Sequence, residues 1–225
     1  MLNIYLADLT GLEDFYDEKV NILHQERAEK LSAYKMSADR IRGLGAGLLL
    51  EKGLEDYLGI CLPKDENGRC IIRYGYGPQG KPYFKDYTDI HFSLSHSGNM
   101  AVLAISDAEV GIDVQEDRGY SEKIAKRFYH AKEYKILEKA ESVSECTKLF
   151  YQIWTGKEAY IKYTGKGMSQ DLRSFSVDFT AGQIFSEGVA VATCQMVPLE
   201  SDDHFCSVVF DKKIHKIDKI IKIHL

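Results

Sequence analysis

The chain has 225 residues, of which 44% are apolar and 28% charged, with a formal net charge of −5. That apolar content can bury a core in one large domain or two small ones. The acidic balance argues against bulk nucleic-acid affinity, which needs a basic footprint, but leaves room for a local basic pocket around a phosphorylated small molecule.

"NIYLADL" predicts a first strand. The opening residues carry no cationic leader ahead of an apolar stretch, so a secretory signal is not expected, and no apolar run reaches the 18 residues of a membrane span. From about Leu12 to Gly59 the periodicity is helical, with a break near Tyr34 to Ser37. Residues Pro63 to Pro82 hold Gly68, Gly75, Gly77 and Gly80 and read as loops and a hairpin. "DIHFSLSHS", "MAVLAISD" and "VGIDVQ" follow as three β-type runs, expected to form one antiparallel meander. Ser121 to Ala140 reads as helical, and a second helix carries "FYQIWTGKEAYIKYTGKG", residues 150 to 167. "SFSVDFT", "GVAVATCQMV" and "HFCSVVFD" return to strands, and "HKIDKIIKIHL" predicts a terminal strand. The pattern of strand, helices and strands thus occurs twice, with a seam near residues 107 to 111 and expected halves of 1–107 and 108–225. Cys61, Cys70, Cys146, Cys194 and Cys206 are scattered with no C-x-x-C, as expected of reduced cysteines in a cytoplasmic protein.

Several residues along this path carry possible chemistry. On the second helix, Phe150, Ile161, Trp154, Ile153, Leu149 and Tyr160 form one apolar arc with Lys157 inside it and Glu158 and Lys162 at its edge. Lys157 could snorkel to water, and Glu158 with Lys162 could be an ordinary i, i+4 surface pair. Asp113 ends an apolar β run, where a carboxylate can be a metal ligand or only shape a turn. Ser95, His96 and Ser97 end another run. A serine-hydrolase reading is weak there, because no G-x-S-x-G elbow is present and adjacent strand residues point to opposite faces. Lys81 lies on the "QGKP" turn, and Arg27, Lys30 and Arg42 line up on earlier helices, where cations are usually solvated.

The order of these pieces is specific: a basic helix with Arg42, then "GKP", "SHS", "GID" and "WTGKEAYIKYTGKG". From roughly Arg27 to Phe175 it resembles the two-domain, surfactin-type 4′-phosphopantetheinyl transferases. The resemblance implies an α+β fold of two similar halves related by a pseudo-two-fold axis, with the active site at their interface. It implies transfer of the phosphopantetheine arm of coenzyme A to a serine of an acyl- or peptidyl-carrier protein, in fatty-acid, polyketide or peptide biosynthesis, with Mg²⁺ and release of 3′,5′-ADP. Residue by residue, Asp113 and Glu158 match the metal carboxylates and Lys162 the lysine at the phosphates. Ser95 and His96 match a pair that holds coenzyme A phosphates, while Lys30, Arg42 and Arg27 match the grip on its 3′-phosphate. Lys81 matches a contact near the adenine side. Glu133 matches an acid supporting the site and is the expected partner of Lys157.

Position 115 departs from the family, which often carries a third acid there. Gln115 is neutral and cannot accept a proton, so it is at best a weak or water-mediated metal ligand, and Glu158 or a metal-bound water is the expected base. Gln115 also supports the alternative of a catalytically weak module that binds coenzyme A or a carrier. A chain holding both halves of the site is expected to be a monomer, with no nucleic-acid or membrane partner.

Overall fold

The computed structural model describes residues 1–199 and 203–225. Strand β1 (Leu2–Asp8) leads into helices α1 (Tyr16–Ile22), α2 (Gln25–Ser32) and α3 (Ser37–Leu58). A hairpin of β2 (Tyr74–Tyr76) and β3 (Pro82–Phe84) precedes β4 (His91–Ser97), β5 (Met100–Ser106) and β6 (Val110–Glu116). Then come α4 (Glu122–Phe128), α5 (Ala131–Leu137) and α6 (Val143–Thr164). Short strands β7 (Phe175–Asp178), β8 (Gln183–Ser186) and β9 (Val189–Ala190) pair in a small sheet, followed by β10 (Cys194–Leu199), β11 (His204–Asp211) and β12 (Lys219–Lys222). The fold is therefore mixed α and β, and no described helix is long and apolar enough to cross a membrane.

Two sheets stack between two long helices. The first has the order β12-β1-β5-β4 and the second β10-β11-β6. Alternation along the strands decides which side chains go where. Tyr5, Phe92, Leu103 and Ile105 turn to α3 and its buried leucines. Leu2, Ile4, Val102 and Ala104 turn the other way, against Val110, Ile112, Val114 and Val208 of the second sheet. The far side of that sheet packs on α6 and its neighbours, where Ile153, Tyr160 and Ile161 lie in one core with Val209. Helix α6 is well delimited: Ser142 accepts the Glu145 N–H at its start, and Gly165 takes a left-handed φ of 67° at its end.

Two expectations need correction. The three runs from residue 89 to 115 do not form one meander. β4 and β5 pair as a hairpin, but β6 leaves them and pairs antiparallel with β11, setting Asp113 opposite Ser207. β6 meets β4 through side chains instead of a ladder: the Ser93 and Ser97 hydroxyls accept the N–H groups of Ile112 and Glu116, each at 3.0 Å. The second correction concerns the C-terminus, expected within a half of 108–225. β12 returns to the first sheet and runs parallel to β1, Ile4 opposite Ile220, because Ile221, Ile223 and Leu225 find their apolar partners in the α3-side core.

Candidate active site

Asp113 is the centre of the site. It lies on β6 with 2% of its surface exposed, and an isolated buried carboxylate is costly unless its oxygens are met. Three groups meet them. The Lys162 ammonium donates to Oδ1 at 2.7 Å, the Ser95 hydroxyl donates to the same oxygen at 2.7 Å, and the Gln115 amide donates to Oδ2 at 3.0 Å. Lys162 also donates to the Ile112 carbonyl at 3.1 Å. Glu158 stands one turn before Lys162 on α6. Burial and the nearby Asp113 charge push its carboxyl up to about 7, with Lys162 opposing. Two neighbouring carboxylates, with the charge of Asp113 raising the cost of ionising Glu158, are a natural set of oxygen ligands for a hard divalent cation, with the Gln115 carboxamide oxygen as a weaker third. Among the described residues no group of three or more His, Cys, Asp or Glu comes together.

The closeness of α6 to β6 depends on Gly111. A side chain there would collide with the Ala159 carbonyl and the Tyr163 N–H of the helix backbone. The glycine of "GID" therefore lets Glu158 and Lys162 reach Asp113 across the narrow gap.

Ser95 and Lys162 also open on a cavity of about 290 Å³. Arg27, Lys30, Leu31 and Tyr34 of α2 and the turn after it line one wall, Gly43 and Ala46 of α3 another, with Leu94 and His96 of β4. Lys30 is half exposed; its ammonium pairs with Glu26 at 2.7 Å and meets the Tyr76 hydroxyl. The Arg27 guanidinium lies 5.3 Å over the Tyr74 ring. Arg42 is adjacent to the Gly43 wall and pairs with Asp39 at 2.6 Å. His96 is exposed, yet the protein around it and the charges of Lys162 and Arg42 hold its ring below the usual histidine range. The cavity is thus rich in cations and short of acids, suited to an anion.

The structure gathers Asp113, Glu158, Lys162, Gln115 and Ser95 at one point and Arg27, Lys30, Arg42 and His96 around the neighbouring cavity. Lys81 is the exception. Its ammonium does not line the cavity; it donates to Glu109 at 2.6 Å and to the Val110 and Tyr163 carbonyls, each at 3.2 Å. Glu109 is held down near 2 by His91 and Lys81. The rigid "GKP" turn aims its lysine at the end of α6, where unpaired carbonyls attract a cation.

Glu133 and Lys157 are deeply buried partners, 2.8 Å apart and 1% and 0% exposed. Lys157 also donates to the Leu172 and Phe175 carbonyls, and Glu133 accepts the His130 and Val177 N–H groups. Burial pushes the carboxyl up and the ammonium down; the charge of each partner opposes the shift of the other, and the His130 and Val177 N–H groups oppose that of the carboxyl. The pair fastens α5, α6 and β7 together behind the site. Sequence reasoning missed Leu31, Tyr34 and Tyr76 as cavity neighbours: Leu31 lies on a helix, Tyr34 at the break after it and Tyr76 on the hairpin, and none of these positions carries a mark of a binding wall. It also missed the serine bridges, whose signal was Ser93, Ser95 and Ser97 in alternation on one strand face.

A model of the 4′-phosphopantetheinyl transferase superfamily matches residues 109–209, the stretch holding Asp113, Gln115, Glu158 and Lys162. A 4′-phosphopantetheinyl transferase of Bacillus subtilis is 34% identical over 161 residues, covering 72% of this chain and 68% of that relative. The 4′-phosphopantetheinyl transferase Sfp of Bacillus subtilis strain 168 is 42% identical over 106 residues, covering 47% of each chain. Among solved structures, a holo-(acyl-carrier-protein) synthase from Bacillus anthracis in complex with CoA (3′,5′-ADP) aligns at a TM-score of 0.38 and 20% identity, covering 46% of this chain and 91% of its own. The chain belongs to the 4′-phosphopantetheinyl transferases.

Proposed function

We propose that this chain transfers the 4′-phosphopantetheine arm of coenzyme A to a serine of an apo acyl- or peptidyl-carrier protein, with Mg²⁺, releasing 3′,5′-ADP. The observation that carries the reading is the junction of a carboxylate and lysine cluster with a cationic cavity, Ser95 and Lys162 belonging to both. Phosphoryl transfer needs in-line positioning and neutralised charge more than covalent help from the protein. In this reading the cavity holds the 3′-phosphate with Arg27, Lys30, Arg42 and His96, and the pyrophosphate extends past Ser95 to Lys162. Lys162 faces the oxygen on which charge grows as the bond breaks. Asp113 and Glu158 would hold Mg²⁺, which supplies charge neutralisation at the pyrophosphate oxygens when bound. Glu158, half-buried beside the same phosphates, accepts the proton of the carrier serine.

The two sheet-and-helix layers are read as two α+β halves related by a pseudo-two-fold axis, with the site at their interface. The chain is read as a cytoplasmic monomer without nucleic-acid or membrane partners. Lys81 is read as a brace on α6, near the adenine side only through its turn.

The test is labelling of an apo carrier with coenzyme A, followed by mass spectrometry. One phosphopantetheine should be added in Mg²⁺ and none in excess chelator, and Asp113→Ala should lose activity by at least about a hundredfold. Full turnover in chelator, or by the Asp113 variant, would remove the metal from the reading. No labelling of any carrier by the wild type, with coenzyme A still bound, would favour a binding module.

A further inference from the structure

Glu51 sits on α3 with 5% of its surface exposed, on the side of the helix that faces α2. Nothing in the transfer chemistry needs it. Its Oε1 accepts the backbone N–H of His24 at 2.8 Å, and the Cys70 thiol faces the same carboxylate. Burial pushes the Glu51 carboxyl up, while the His24 N–H, Cys70 and the Arg27 charge hold it down.

His24 is the residue that begins α2, and its own side chain makes no capping bond. Helix starts of this kind are commonly closed by a carboxylate three positions into the helix, which reaches back to the first N–H. Counting from His24, that position is Arg27, a cation that cannot accept a hydrogen bond. Glu51 does the accepting from the neighbouring helix, and its charge also suits the positive end of α2. Position 27 is thereby free to carry a guanidinium into the cavity wall. The helices lie close because Gly47 has no side chain: an added carbon would stand 2.7 Å from Leu23 and 3.4 Å from Arg27.

We propose that Glu51 is a positioning residue for the 3′-phosphate pocket: it caps α2 from α3 and so fixes Arg27 and Lys30 against the cavity. This rests on the pocket holding the 3′-phosphate of coenzyme A. The carboxylate oxygen as acceptor is the essential feature, so glutamine should replace it and alanine should not.

Binding of 3′,5′-ADP and of 5′-AMP to the intact protein, read by calorimetry, tests pocket and proposal separately. Wild type should prefer 3′,5′-ADP. Glu51→Ala should weaken 3′,5′-ADP about tenfold and leave 5′-AMP within about twofold, because only the 3′-phosphate meets α2. Glu51→Gln should restore most of the preference. In the transfer assay the Ala variant should raise KM for coenzyme A with kcat at saturation retained, a split that general destabilisation would not give. Hydrogen exchange should quicken in α2 of the Ala variant and not in α6. A wild type with no preference for 3′,5′-ADP overturns the pocket assignment and the proposal with it. A wild type with the preference, and a Glu51→Ala variant that keeps it with unchanged α2 exchange, overturns the proposal alone.

Discussion

At the scale of single residues, Glu158 has its proton affinity set by its surroundings. Its carboxyl titrates near 7 in the metal-free protein, against about 4.3 in an unfolded chain. A raised folded-state value contributes stability that is complete below the unfolded pKa and is lost as pH climbs through the folded one. In chelator, the wild type should lose on the order of 2 to 3 kcal/mol between about pH 4.5 and 7.5 from this group. Glu158→Gln should be more stable than wild type at pH 8 in chelator, and the gap should close in excess Mg²⁺. Thermal melts of both proteins at pH 5 and pH 8 read this directly; parallel pH profiles would show that Glu158 is ordinarily solvated. The Lys157 ammonium depends on its partners in the same way. Lys157→Met strands the Glu133 carboxylate and two carbonyls in the core, and should lower stability by about 3 to 5 kcal/mol. Adding Glu133→Gln should recover part of that loss. Denaturant curves giving less than about 1 kcal/mol for Lys157→Met would mean the pair is replaceable packing.

At the scale of elements, the contact of β6 with α6 sets where the chemistry sits. Gly111→Ala puts a methyl group against the backbone of α6, which has no side chain to move aside. The helix must shift, carrying Glu158 and Lys162 off Asp113. Stability should fall by about 1 to 3 kcal/mol and transfer by far more than the fraction unfolded explains. Normal turnover in the folded variant would show that the gap has slack. The elements holding these residues were legible in the sequence: α6 from its 3.6-residue period and glycine end, β4 to β6 from their alternation. The transferase motif itself named Asp113, Glu158 and Lys162. The partnering of β6 was not legible, because strand patterns state which residues are buried and not which neighbour buries them. β8, "QIFS", was missed because four residues between turns carry little periodicity. Lys81 was found by its motif, but its acceptors were not legible, since Glu109, the Val110 carbonyl of β6 and the Tyr163 carbonyl near the end of α6 come from distant segments. Glu51 was passed over because a single acid within "GLLLEKGL" gives no sign of the helix start packed against it.

At the scale of the whole molecule, the chain closes on itself. After β11 completes the second sheet, the last residues cross back and add β12 to the outer edge of β1. The crossing is pinned at both ends. The Asp218 carboxylate accepts the Leu2 N–H at 2.7 Å, and Lys52 on α3 donates to the His224 carbonyl at 2.8 Å. Ile221 and Ile223 between these points, and Leu225 just after them, pack partly buried on the α3-side core. The cavity takes its walls from α2, α3 and β4 but Lys162 from α6, so its shape depends on how firmly the layers are held. Two connections do this at opposite edges: the serine bridges between β4 and β6, and β12 on β1. Removing residues 216–225 cuts the second and leaves β1 an unpaired edge. The loss of apolar burial alone should cost roughly 3 to 5 kcal/mol. Because the serine bridges remain, the shortened protein should still fold at low temperature, with a lower Tm, a greater tendency to associate and weaker 3′,5′-ADP binding. Asp113 and Lys162 lie in the second sheet and on α6, away from the cut, so kcat at saturating coenzyme A and Mg²⁺ should fall much less than affinity. Melting curves, sizing by light scattering and steady-state kinetics on the shortened chain decide the matter. An unchanged Tm with unchanged affinity would make β12 a passive edge, and a collapse of kcat at full occupancy would mean that the C-terminal strand supports the catalytic cluster itself.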